Sequence, residues 1–284
     1  MMASPGGSSG ASAKWQDLGI RALSALVLIP IVLLDVWLGG VWYEIFVLLI
    51  GILIAREWVR LSLGDEDLQL ALHMLAVLAA GILPFGPGFV AAAGVIALAW
   101  AMSLALSRLA GRKPIWPYLG IPYAAGATTA LMVLGTDRDY GALAIVWLMA
   151  VIWAADSLAY FAGRTIGGPK LAPVLSPKKT WAGLGGAVFG GILAALAVGW
   201  IAGLNSLVML ALLGGLLAAV GQAGDLFKSA LKRFYGVKDA GQLIPGHGGV
   251  LDRVDGLVAA AMAAAAIGSL HSGYSAAGSG LLNW

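Results

Sequence analysis

Ser229-Ala-Leu-Lys-Arg-Phe-Tyr-Gly-Val-Lys-Asp-Ala-Gly-Gln-Leu-Ile-Pro-Gly-His-Gly-Gly-Val-Leu-Asp-Arg-Val-Asp255 is a polar island in an apolar chain. It gathers Lys232, Arg233, Lys238, Asp239, His247, Asp252, Arg253 and Asp255 in a sequence that is 60% hydrophobic and only 11% charged. Apolar runs flank it, at 206–222 before and 254–270 after. Charge is costly beside a bilayer, so a cluster of both signs marks a functional site. Carboxylates hold divalent metal, Lys and Arg hold phosphate, and glycine turns let the backbone approach a ligand. Together they point to phosphoryl or nucleotidyl chemistry at a membrane surface.

Working outward, the mean hydropathy of +0.91 and repeated apolar runs predict an all-α, polytopic transmembrane helical bundle. About nine spans are expected, over 20–38, 41–55, 69–84, 88–107, 119–135, 141–163, 182–201, 206–222 and 254–270. The 41 glycines suit close helix contact. No cysteine is present, which excludes disulfides and thiolate metal sites. His73, His247 and His271 lie too far apart for zinc-ligand spacing. Residues 1–18 read as a disordered tail, 19–140 as N-terminal helices, 141–272 as the catalytic region and 273–284 as a short tail. The first span reads as a retained helix rather than a cleaved signal.

On this map 16 of the 17 basic residues fall on one side and only Arg138 on the other. The positive-inside rule then puts the N-terminus and the two long polar connections, 164–181 and 223–253, in the cytoplasm. The expected location is the inner membrane of a cell, with the active site facing inward. No nucleic-acid partner is expected.

Four segments are candidates for the chemistry. If the eighth helix continues beyond the apolar run, Asp225, Ser229 and Lys232 share one face, with Lys228 and Arg233 beside it. A basic rim at a helix end fits that segment equally well. Pro245-Gly-His-Gly-Gly249 suits a tight loop against a ligand. Asp252 and Asp255, three residues apart, face one way at the start of the ninth helix; capping there needs only one Asp and explains neither His247 nor Arg253. Ser176-Pro-Lys-Lys-Thr180 suits a phosphate-binding turn or a basic patch on anionic lipid. Asp156, inside the sixth span, should face the bundle interior and meet a cation or metal. Asp35, Glu44 and Glu57 stand nearer expected span ends and need less explanation. Gly163-Arg-Thr-Ile-Gly-Gly-Pro-Lys170 is no P-loop, because Pro169 interrupts it and Leu171 replaces the needed hydroxyl.

With these residues in view, the chain resembles the phosphatidate cytidylyltransferase (CDP-diacylglycerol synthase) family. The resemblance rests on Ser229 to Asp255, Gly224-Asp225-Leu226, Ser176-Pro177 with Lys179-Thr180, and Ala155-Asp156-Ser157. Ala182 departs from it, since the family usually has Glu or Gln after Lys-Thr-Trp. The resemblance implies cytidylyl transfer from CTP to phosphatidate, with Mg²⁺ as cofactor and room for a second metal ion. It implies Asp225 and Asp252 as metal ligands, joined by Asp255. Lys232, Arg233, Lys238 and Arg253 would hold phosphate, and Ser176, Lys179, Thr180 and Ser229 would touch it. His247, with Gly248 and Gly249, would position phosphate or the leaving group, Asp239 would orient Lys238 or Arg253, and Asp156 would border the substrate. Small-residue helices allow a homodimer. The rival readings are a CTP-dependent polyprenol or phytol kinase, a CDP-alcohol phosphatidyltransferase, whose aspartate pattern is absent, and a proton-coupled transporter using Asp156 and Asp225.

Overall fold

The structure, a computed structural model, describes residues 26–27, 29–82, 89–112, 115–241 and 248–284. The expected tail at 1–18, and His247 with the Pro245 turn before it, lie outside the described residues.

Helices fall in the apolar segments: α1 (Ile29–Leu38), α2 (Gly40–Ser62), α3 (Asp67–Ile82), α4 (Phe89–Leu109), α5 (Ile115–Gly135), α6 (Gly141–Thr165), α7 (Trp181–Ile201), α8 (Leu207–Phe234) and α9 (Leu251–Ser272). A 3-10 turn, Tyr274–Ala276, leads into α10 (Ala277–Leu282). In an apolar medium every backbone group must find its partner internally, and helices do this one segment at a time. Among the described residues, α4 to α9 are six helices long and apolar enough to cross a membrane. The chain is therefore an all-α polytopic membrane protein. Both α1 and α3 are apolar but shorter, while α2 has the length and carries Glu44, Arg56, Glu57 and Arg60.

Two expectations change. Ser176–Thr180 is not a simple turn but strand β2, paired antiparallel with β1 (Lys170–Ala172) in a hairpin between α6 and α7. And α2 does not stop near residue 55; it runs on to Ser62, which places Glu57 well inside the helix rather than at its end.

Small residues set the approach of the late helices. A Cβ built on Gly190 of α7 would lie 2.6 Å from the Ala154 carbonyl oxygen of α6. One on Gly224 of α8 would lie 2.5 Å from the Ala259 Cβ and 2.8 Å from the Asp255 carbonyl oxygen of α9. Such contacts need glycine, and they bring the charged ends of α8 and α9 together. Aromatic rings fasten α8 to the N-terminal helices: Phe227 lies 5.9 Å from Tyr123 and 5.4 Å from Trp116, and Trp58 lies 5.0 Å from Tyr123.

The other end of the bundle is closed by the C-terminal residues. Asp137, between α5 and α6, accepts from the backbone N–H of Asp139 and Tyr140 at 3.0 Å, and from Ser279 N at 2.7 Å and Oγ at 3.1 Å. Leu281 and Leu282 of α10 are fully buried, and His271 stacks on Trp284 with centroids 4.0 Å apart.

Candidate active site

At 28 residues α8 is about 42 Å long, against about 30 Å of bilayer hydrocarbon, so one end must emerge from it. That last stretch carries Asp225, Lys228, Ser229, Lys232 and Arg233 in continuous helix, so the face expected from their spacing exists. Opposite it stand β2, the polar end of α6 and the first turns of α9.

A chain of alternating charges crosses these four elements. Gln222 Nε2 donates to Asp156 Oδ1 at 3.0 Å, and Gln222 Oε1 accepts from Lys179 Nζ at 2.8 Å. Lys179 Nζ also meets Asp225 Oδ2 at 2.7 Å. On the far side of Asp225, Oδ1 is 4.0 Å from Lys228 Nζ. Lys228 lies 3.4 Å from Asp252 Oδ1, pairs closely with Asp255 Oδ2, and donates to the Asp252 carbonyl at 3.2 Å. Lys232 completes the series, 2.8 Å from Asp252 Oδ1. Asp252 Oδ2 accepts from Ala240 N at 2.7 Å and Gly249 N at 3.3 Å, tying down the loop before α9.

Lys228 is the hub, with only 6% of its side chain exposed. A buried ammonium is tolerable only beside such acids, and the acids only beside it. Asp225 and Asp252 thus share one ionic centre, with Asp255 as the third member. The donors are hard oxygens of the kind Mg²⁺ prefers. Among the described residues the acids form no open metal cage, because they meet through Lys228.

A cavity of about 380 Å³ opens beside this centre. Asp156, Arg164, Lys178, Lys179, Thr180 and Asp225 supply its polar lining. The two lysines differ in burial: Lys179 turns inward to Asp225, while Lys178 stays exposed. Thr180 is buried, and its hydroxyl oxygen accepts from Gly183 N at 3.0 Å as the N-cap of α7, which leaves its proton for a ligand.

The other expected residues are more scattered. Ser176 is half-buried in the hairpin and Ser229 half-buried on α8. Arg233 is exposed and its Nε donates to the Leu175 carbonyl at 3.4 Å. Lys238 and Asp239 are exposed on the loop after α8. Arg253 is turned away to a second, apolar cavity of about 390 Å³, which α1, α2, α6 and α9 wall. Gly248 has a φ of +81°, which favours glycine. Asp156 meets a neutral amide first, rather than the cation or metal expected, because Gln222 stands between it and Lys179.

Two residues, Gln222 and Glu57, escaped the sequence reading as site members, and Lys228 was placed only beside the Asp225 face. Lys228 had a usable signal in its spacing, three residues after Asp225 and four before Lys232. Gln222 was legible only as a lone amide in an apolar run. Glu57 passed for a helix-end charge, yet it is buried and accepts from two backbone amides at the start of α9.

A cleft with several charged lining residues, set in membrane helices, suits a ligand that carries phosphate groups. The chain belongs to the cytidylyltransferase family, which it matches over residues 19–271. It is 43% identical over 255 residues to the phosphatidate cytidylyltransferase of Brucella abortus, covering 86% of this chain and 91% of that protein. Phosphatidate cytidylyltransferases of Helicobacter pylori (34% over 208 residues, 71% and 74% covered) and Rickettsia felis (29% over 251 residues, 86% and 88% covered) are also similar.

Proposed function

We propose that this chain transfers the cytidylyl group of CTP to phosphatidate, giving CDP-diacylglycerol and pyrophosphate. The observation that carries the reading is the unbroken Asp156–Gln222–Lys179–Asp225–Lys228–Asp252–Lys232 series beside a polar cavity, in a member of this family.

An oxygen of the phosphatidate phosphate forms a bond to the α-phosphorus of CTP while the bond to the bridging oxygen of pyrophosphate breaks. The attacking oxygen is already anionic, so the obstacle is repulsion between two anions rather than a missing base. Fixed cations remove it by positioning and charge stabilisation. Lys179 and Arg164 line the cavity where the triphosphate would lie, and Lys178 borders it from an exposed position. Lys228 and Lys232 are already held by carboxylates, which fixes their heads before substrate arrives. Asp225 and Asp252, with Asp255, would hold Mg²⁺, and a bound ion would supply charge neutralisation to the phosphates. Lys238, Arg233 and Arg253 are assigned to the triphosphate or the phosphatidate headgroup, and His247 to phosphate or the leaving group, by the family resemblance.

The same reading has nine crossings of an inner membrane, the first over residues 20–38, with the N-terminus and the active site in the cytoplasm. The absence of native cysteine makes this directly measurable, since single cysteines at Asp239 and Arg138 should label from opposite faces of sealed vesicles. The function is tested by incubating purified protein with labelled CTP and phosphatidate, with and without Mg²⁺. Label in a CDP-lipid with release of pyrophosphate supports it. CDP and a lipid monophosphate would instead indicate a γ-phosphate kinase.

A further inference from the structure

Glu57 reaches from α2 to the opposite end of the sequence. Its carboxylate is buried, at 7% relative exposure. Oε1 accepts from Val250 N at 2.9 Å and Oε2 from Leu251 N at 2.8 Å. These amides begin α9, and Val250 supplies no side-chain cap of its own. Helix N-termini need such acceptors, and here a residue 193 positions away provides one. Gly241 and Gly249 pack closely against that carboxylate. A Cβ on Gly241 would lie 2.7 Å from Glu57 Oε1, and one on Gly249 would lie 2.7 Å from its Cδ.

One residue further on is Asp252, whose own Oδ2 accepts from Gly249 N. Two carboxylates therefore hold the three successive amides of Gly249, Val250 and Leu251. The geometry points to Glu57 as a positioning residue for the transfer: it fixes the height and rotation of the first turn of α9, and so the aim of Asp252 and Asp255 at Lys228. This rests on the reading of Asp252 and Asp255 as members of the active site. A carboxylate is required because it offers an acceptor to both amides. Glutamine offers one and turns an N–H₂ group against the other N–H.

The test uses the purified full chain as Glu57→Gln, Glu57→Asp, Gly241→Ala and Asp252→Asn. Hydrogen exchange of residues 248–258, kcat and KM for CTP, and the unfolding temperature are measured on each. Glu57→Gln should raise exchange at Val250 and Leu251 at least about tenfold and lower kcat at least about tenfold, with KM for CTP within about threefold and the unfolding temperature little changed. Glu57→Asp, which keeps both acceptors on a shorter stem, should recover part of the kcat.

Unchanged exchange in Glu57→Gln would overturn the contact. Raised exchange with unchanged kcat would overturn the positioning role and leave a mere staple. A fall in kcat matched by the unfolded fraction would overturn it too. Should Glu57→Gln not fold, Gly241→Ala, which pushes the carboxylate without removing it, is read by the same criteria. Activity retained in Asp252→Asn would refute the assignment of the site instead, and the exchange result at Val250 would still report on the Glu57 contact.

Discussion

The two polar ends of this bundle differ in what mainly compensates their aspartates. At the closed end Asp137 takes its hydrogen bonds from backbone N–H groups and one serine, atoms that cannot move away. At the other, Asp225, Asp252 and Asp255 are compensated largely by the ammonium groups of Lys179, Lys228 and Lys232, on long flexible stems. Backbone partners make a staple. Lysine partners can be exchanged for phosphate or a cation without unfolding anything, and that difference separates architecture from chemistry here.

The contrast predicts where activity and stability part company. Asp225→Asn should lower CDP-diacylglycerol formation by about 10³-fold, the scale of losing one preorganised electrostatic contact, with unfolding unaffected. Normal turnover by the purified variant would remove Asp225 from the reaction. Lys228→Met should hurt both properties, because it leaves three acids facing one another. A loss of about 3–5 kcal/mol is expected from breaking a buried pair, read by thermal unfolding in detergent. Adding Asp255→Asn to it should restore part of that stability.

Next come the hairpin lysines. Lys179→Ala should cost about 10–100-fold in kcat/KM, as the loss of about 1.5–3 kcal/mol of charged hydrogen bonding implies. Lys178→Ala should cost less than about threefold. Equal losses would contradict the inward placement of Lys179 against Asp225.

The smallest effect belongs to the staple. Asp137→Asn should leave kcat unchanged and lower stability by about 1 kcal/mol. Burial pushes the Asp137 carboxyl up, but the N–H of Ser279 and of Tyr140, with the Ser279 hydroxyl and the N–H of Asp139, outweigh it and hold the group below its ordinary value of 3.8. A depressed carboxyl stabilises the fold above the unfolded-state value and loses that contribution as pH falls through the folded one. Native protein should therefore lose stability below about pH 4 by more than Asp137→Asn does. Parallel pH profiles would show that Asp137 does not act in this way.

Much of this was legible in the residues. Apolar runs located the helices because a bilayer tolerates little else, and the charged island located the site because charge in so apolar a chain needs a reason. Spacing put Asp225 and Lys232 on one helix face and Asp252 and Asp255 on another, and it was the family resemblance that joined the two. What was not legible depended on distance along the chain or on helix length. Glu57 looked unremarkable because Arg56 and Arg60 beside it suggest a helix end, and only the continuation of α2 to Ser62 buries it. Lys228 was visible as a charge, but its place among three acids depends on the close approach that Gly224 permits. The hairpin was hidden by Pro177, which reads as a turn and stands in a strand.

Because α8 is one uninterrupted rod longer than the bilayer's oily layer, its acidic and basic end stands at a set height above its apolar end. Lipid with longer tails would raise the water boundary towards Asp225, and shorter tails would lower it. Turnover in vesicles should therefore vary with tail length even when the headgroups are identical, which makes the enzyme responsive to the thickness of the membrane whose lipids it helps to build.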